Sequence, residues 1–294
     1  MLPIVDLSLP ADEAAAAVDA ACRESGFFYV VGHDVDPELE AAVDAAARAF
    51  FVRPDDEKAA IAMAKGGRAW RGWFPLGGEL TDGVPDGKEG LYFGSELGPR
   101  HPRVAAGVPL HGANLFPAEP PELRGAVLAW LDAMTGLGHR LASLVARGLG
   151  LEPGWFDRHL TGDPTVLFRI FRYPPTVEGG WGVAEHTDYG LLTILRQDDR
   201  GGLEVRGPDG WVDAPPVPGS FVVNIGDWLE HMTGGRYRST AHRVRNTTAG
   251  DRVSLAFFFD PSWDADLGEG TYGSYLLSKV TKVFPELADT ELRS

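Results

Sequence analysis

The chain has one cysteine, Cys22, among its 294 residues. No disulfide can form within it, which excludes a cystine-stapled secreted framework and fits a reducing compartment such as the cytoplasm. Cys22 falls in an alanine-rich helical pattern, where a free cysteine acts as a small buried hydrophobe. Basic charge is also scarce: 27 Lys and Arg stand against 42 Asp and Glu, a formal net charge of −15. No basic run forms the footprint of a nucleic-acid binder, and an acidic surface is not drawn to anionic membranes. No apolar run approaches the roughly 18 residues that would cross a bilayer. Met1 to Pro10 has no basic residue ahead of an apolar stretch, so it does not read as a signal peptide.

Aromatic residues, by contrast, are plentiful: 8 Trp, 15 Phe and 7 Tyr supply enough bulk for a large core and for the walls of an apolar pocket. Ile4 to Leu7 reads as a short strand, Ser8 as the cap of a helix ending at Gly26, and Phe27 to Val31 as a buried strand. Asp36-Pro37 is a cap and first-position pair for a second helix running to about Phe51. Between Gly66 and Pro120 glycine and proline recur and no period holds, so this stretch reads as loops that cover a site. Pro121 to Gly148 carries Leu123, Val127, Trp130, Leu131, Met134, Leu137 and Leu141 on a helical period, with Gly136 and Gly138 as candidate interruptions. From Pro164 onward short apolar runs separated by turn clusters predict the strands of a sandwich or barrel. A final helix is expected over Tyr272 to Val283.

Chemistry concentrates around two of the eight histidines. In Glu185-His186-Thr187-Asp188 an imidazole and a carboxylate lie two residues apart at a strand edge. Period-two geometry turns both to one face, where they can occupy adjacent positions on a metal ion. His242 opens a later strand and offers a third ligand, whereas His231, its rival, follows Trp228-Leu229-Glu230 in a turn or short helix. Two histidines and one carboxylate leave coordination positions open, the pattern of non-haem Fe(II) oxygenases and unlike a closed zinc site. Ten residues on, Arg252-Val253-Ser254 again has period two. An arginine facing a β-lined cavity must be paired, because an unpaired buried charge is costly. Its fork fits a carboxylate, which could come from the protein or from a dicarboxylate cosubstrate.

In that order, His186-Thr187-Asp188, His242 and Arg252-Val253-Ser254 resemble the iron(II)- and 2-oxoglutarate-dependent oxygenases of the isopenicillin N synthase-like branch. Phe27-Phe28-Tyr29-Val30, Arg172-Tyr173-Pro174, Asn224-Ile225-Gly226-Asp227, Gly235 to Val244 and Tyr272-Gly273-Ser274-Tyr275-Leu276 look like that branch too, so the likeness spans almost the whole chain. It implies an α+β fold with a mainly β core, a double-stranded β-helix (jelly roll) flanked by helices. Residues 1–120 would be an N-terminal non-haem dioxygenase region of helices and site-covering loops. Residues 121–294 would carry the long helix, the catalytic core and the C-terminal helix, all in one compact unit.

The same resemblance implies Fe(II) on His186, Asp188 and His242, with Arg252 and Ser254 gripping the distal carboxylate of 2-oxoglutarate and Tyr173 helping to hold it. Phe171 stands where many plant relatives have an asparagine. The implied reaction consumes O2, converts 2-oxoglutarate to succinate and CO2, and oxidises a small molecule, by default through hydroxylation. No protein partner is implied. Some members of the branch are oxidases that do without 2-oxoglutarate, and a jelly roll can also serve as a non-catalytic binding protein; both alternatives stay open. For the substrate, Trp70 to Phe74 and Lys88 to Phe93 sit where the branch often places substrate-facing residues, and Phe257 and Phe259 alternate with the pocket strand. Arg71, Phe74, Tyr92, Phe257 and Phe259 are therefore the candidate contacts, with Arg71 expected to bind a carboxylate. The competing reading makes Arg71 a structural ion pair and the aromatics core.

Overall fold

Short apolar runs with alternating inward positions dominate the second half of the chain, and they pair into two sheets. The computed structural model describes residues 2–81, 83–175, 181–246, 248–268 and 270–283. In chain order its strands are β1 (Ile4–Asp6), β2 (Phe27–Val31), β3 (Gly72–Phe74), β4 (Leu80–Thr81), β5 (Val84–Pro85), β6 (Glu89–Gly94) and β7 (Pro164–Tyr173). Then follow β8 (Val183–His186), β9 (Leu192–Gln197), β10 (Leu203–Gly207), β11 (Gly210–Asp213), β12 (Phe221–Ile225), β13 (His242–Val244) and β14 (Arg252–Ser262). The α-helices are α1 (Ala11–Glu24), α2 (Pro37–Phe51), α3 (Asp55–Lys58), α4 (Pro102–Ala105), α5 (Glu122–Gly148), α6 (Asp227–Met232) and α7 (Tyr272–Val283).

Eight strands form the larger sheet, in the order β1-β2-β12-β9-β14-β7-β6-β3, and four form the smaller, β11-β10-β13-β8. This is the expected jelly roll flanked by helices. The larger sheet takes strands from both halves of the chain, so its inner face is a joint product of residues 4–94 and residues 164–262. β14 runs antiparallel to β7, with Arg252 opposite Tyr173, Ser254 opposite Phe171, Ala256 opposite Arg169 and Phe258 opposite Leu167. Because side chains alternate along a strand, these residues share one face, which lines a cavity between the sheets. The intervening residues, including Phe257 and Phe259, belong to the core on the other face.

That outer face is covered by α5. Trp130 packs against Phe168 and Phe221 at ring-centroid distances of 6.1 and 5.9 Å. Gly138 approaches Phe259 so closely that a Cβ there would lie 2.4 Å from the ring. The glycines at 136 and 138 therefore do not interrupt the helix, which is continuous from Glu122 to Gly148. One of them is instead required for helix-to-sheet contact.

Two local expectations change. Ser8 does not cap α1; its amide and hydroxyl both donate to Asp6 Oδ1, at 2.8 and 2.7 Å, and the helix begins behind Pro10. Asp36 does cap α2, accepting from the Glu38 amide at 2.8 Å with Pro37 at the first position. The region read as loops holds β3 and β6, and all six residues of β6 are buried. Glu-Gly-Leu-Tyr-Phe-Gly shows no alternation because both of its faces are covered. Among the described residues no helix is long and apolar enough to cross a membrane.

Candidate functional site

His186 ends β8 and His242 begins β13, and the two are direct cross-strand partners with ring centroids 4.2 Å apart. Asp188 follows β8 by two residues. Its Oδ1 lies 4.0 Å from His186 Nε2 and 3.9 Å from His242 Nε2. One ligand atom from each of the three residues falls within 4.8 Å of the others, a spacing that suits a single metal ion. Both imidazoles are held from behind. His186 Nδ1 lies 2.8 Å from the Ala184 carbonyl, and His242 Nδ1 lies 3.3 Å from that of Thr240. Donation from Nδ1 fixes the tautomer in which Nε2 carries the lone pair toward the ion.

Asp188 is anchored in the same way. Its Oδ2 accepts from Thr193 Oγ1 at 2.6 Å and from Asn224 Nδ2 at 2.7 Å, so Oδ1 is the oxygen left for a metal. Thr193 and Asn224 are opposite one another on β9 and β12 of the larger sheet. The carboxylate thus joins the two sheets. Burial raises its pKa, but the His242 and His186 imidazoles and these two hydrogen bonds outweigh that and hold it below the ordinary range. Burial, then the neighbouring His186, lowers His242 to about 4, leaving the neutral imidazole that ligation requires.

Further along the inner face, Arg252 is fully buried. Its Nε donates to the Gly201 carbonyl at 2.7 Å and Nη2 to Gln197 Oε1 at 3.3 Å, while Nη1 is buried with no partner among the described residues. Ser254 lies on the same face, and the Tyr173 ring is 4.9 Å from the guanidinium carbon. A buried cationic donor left unpaired is what an incoming carboxylate would satisfy, so these residues fit 2-oxoglutarate. The cavity has a volume of about 560 Å³ and contains the three metal-facing residues together with Arg252, Ser254 and Tyr173.

None of the five candidate substrate contacts lines that cavity. Arg71 is buried in the N-terminal layer, where Nη1 donates to the carbonyls of Ser95 and Gly112, both at 2.7 Å, and to Asn114 Oδ1 at 3.2 Å. Its Nη2 donates to the Leu110 carbonyl at 3.0 Å. Arg71 is therefore a structural crosslink between loops, made through carbonyls more than through an ion pair. Phe74 and Tyr92 stand behind the wall, packed edge-on at 5.3 Å, and the Tyr92 hydroxyl donates to Glu79 at 2.6 Å. Phe257 and Phe259 have the wrong parity: residues in step with Arg252 and Ser254 are Ala256, Phe258 and Asp260, and those line the cavity. His231 is on α6, exposed and outside the metal-facing group. Sequence reasoning does not single out Thr193, Asn224, Arg169 or Phe258, although counting by twos from Arg252 or Tyr173 points to the last two.

Residues 164–261 match the family described as the 2OG-Fe(II) oxygenase superfamily. Residues 2–119 match the non-haem dioxygenase N-terminal family, described from morphine synthesis. A probable iron/ascorbate oxidoreductase of Dictyostelium discoideum is 42% identical over 94% of this chain and 90% of that protein. A homoarginine-6-hydroxylase of Arabidopsis thaliana is 33% identical over 96% of this chain and 97% of that protein. Among solved structures, a full-length Neurospora crassa protein in complex with 2-oxoglutarate superposes with a TM-score of 0.81 at 25% identity, covering 96% of each chain.

Proposed function

We propose, for a chain that belongs to the 2OG-Fe(II) oxygenase superfamily, that His186, Asp188 and His242 ligate its iron and Arg252 receives the distal carboxylate of 2-oxoglutarate. The chain is an iron(II)- and 2-oxoglutarate-dependent oxygenase. The observation that carries the residue assignment is Nη1 of Arg252, without a partner among the described residues, on a side chain that lines the same cavity as the three converging ligand residues. Ser254 and Tyr173 complete the carboxylate end. When bound, iron would supply the activation of O2, one oxygen atom going to 2-oxoglutarate as it becomes succinate and CO2 and the other to the substrate.

The protein's own part is orientation. The backbone carbonyls behind both histidines hold Nε2 in place, and Thr193 with Asn224 keeps Asp188 on the ion through one oxygen. Leu167 and Phe258 form an apolar flank of the cavity. Residues 1–120 act as the covering region, through Glu79, Leu80, Thr81 and Lys88 at the cavity wall, and residues 121–294 as the core. The reading assigns hydroxylation of a small molecule, in keeping with the hydroxylase relative, and residence in the cytoplasm, in keeping with a lone buried cysteine.

Anaerobic addition of Fe(II) and 2-oxoglutarate to the wild type should give the weak visible charge-transfer band of the chelate, absent with Fe(II) alone. With O2, succinate should form in step with oxygen consumption. Absence of the band, or full oxygen consumption without 2-oxoglutarate, rejects the assignment.

A further inference from the structure

Arg169 is a second arginine on the cavity wall, and no hydrogen bond to any described residue occupies its donors. Its side chain is 17% exposed. It projects from the inner face of β7 opposite Ala256, whose small side chain leaves space in front of it. The guanidinium carbon lies 4.4 Å from the centre of the Tyr92 ring and 4.8 Å from that of Phe258. Among the described residues, the one carboxylate oxygen within ion-pair range is Glu79 Oε1 at 3.7 Å, which already accepts from the Tyr92 hydroxyl at 2.6 Å. Glu79 Oε2 in turn is 2.8 Å from Lys88 Nζ. The Arg169 Nε is itself buried without a partner among the described residues.

A charge largely withdrawn from water and left with open donors is costly unless a ligand completes it. The two rings hold the fork in place, which suits bidentate binding of a planar anion. Arg252 cannot be completed by the same group. Residues 169 and 173 lie four apart on β7, roughly 13 Å along the strand, and Arg252 is opposite Tyr173. The cavity therefore has two anion positions along one sheet, and its lining also includes Asp188 of the metal group.

We propose that Arg169 binds the carboxylate of the primary substrate, which makes that substrate a small carboxylic acid whose apolar body lies along Phe258 and Leu167. This rests on the iron and 2-oxoglutarate positions assigned above. The test is calorimetric titration of protein loaded anaerobically with Fe(II) and 2-oxoglutarate, using benzoate, phenylacetate and octanoate and the amide of each. At least one acid should bind about tenfold more tightly than its amide, as charge-assisted hydrogen bonds predict. In Arg169→Gln that preference should shrink to about twofold or less, with the chelate band unchanged. Arg169→Lys keeps the charge but loses the fork, and serves if the glutamine variant does not fold; its preference should be weaker than that of the wild type. No preference for any acid, or a preference that survives both substitutions, overturns the proposal. Loss of the chelate band in the wild type would instead reject the iron and 2-oxoglutarate assignment, since the titration judges Arg169 separately.

Discussion

The N-terminal layer and the inner face of the jelly roll each enclose arginine, and they use it in opposite ways. Arg71 spends its two terminal nitrogens on the carbonyls of Ser95, Leu110 and Gly112 and on Asn114, and so ties loops together. Arg252 is as deeply buried and Arg169 nearly so, and each of the three retains one buried donor with no partner among the described residues, but only Arg252 and Arg169 line the cavity, whereas Arg71 Nε lies away from it. Burial therefore does not separate a structural cation from a binding one. What separates them is whether the protein satisfies the terminal nitrogens and whether the arginine lines the cavity.

The sharpest way to break this comparison is Arg71→Met, which leaves three carbonyls, those of Gly112 and Leu110 buried, without their donor. A loss of about 3–5 kcal/mol in unfolding free energy is expected from denaturant titration. A loss within about 1 kcal/mol of zero would show that the loops do not depend on the crosslink. Arg252→Met should reverse the pattern. The KM for 2-oxoglutarate should rise about 100-fold, with stability changed by about 1 kcal/mol, because the open donor serves a ligand more than the fold. An unchanged KM would remove Arg252 from the cosubstrate site.

Asp260 extends the comparison to an anion. It accepts from the Leu191 amide at 2.8 Å, and burial pushes its pKa up to about 6. A carboxyl raised in the folded state binds protons there that the unfolded chain has already released. Stability therefore falls as pH rises from about 4 to about 6 and stays lower above that. Asp260→Asn should remove this loss and stabilise the protein by about 2 kcal/mol at pH 7.5, with little effect at pH 4. Equal unfolding midpoints for the two proteins at pH 7.5 would show that Asp260 is charged without penalty.

Local sequence carries the metal face well, because its geometry is local. His186 and Asp188 are two residues apart at a strand edge, and the strand period alone turns them together. His242 can be named as partner but not placed from sequence; antiparallel pairing of β13 with β8 puts it directly across from His186. The same period applies to the pocket wall, and there the choice of phase decides the answer. Phe257 and Phe259 are out of phase with Arg252 and Ser254, which fix the even-numbered positions as the cavity face. Thr193 carries no signal of its own and Asn224 only its place in a family-like stretch, since a polar residue in an apolar strand looks the same whether it faces water or a carboxylate.

The sequence by itself determined most of the strand order of the second half and turned His186 and Asp188 to one face, while the family resemblance supplied His242 and the role of the Arg-x-Ser pair. The strand order and the His186–Asp188 face depend on periodicity and spacing, which chain neighbours set. Tertiary structure alone decided which arginine is a crosslink and which is open to a ligand. That outcome depends on carbonyls and carboxylates brought from distant segments: Ser95, Leu110 and Gly112 around Arg71, and Glu79 already taken by Tyr92 and Lys88 beside Arg169. Whether a buried charge is satisfied is a property of the packed surroundings, and no reading of its neighbours in sequence contains it.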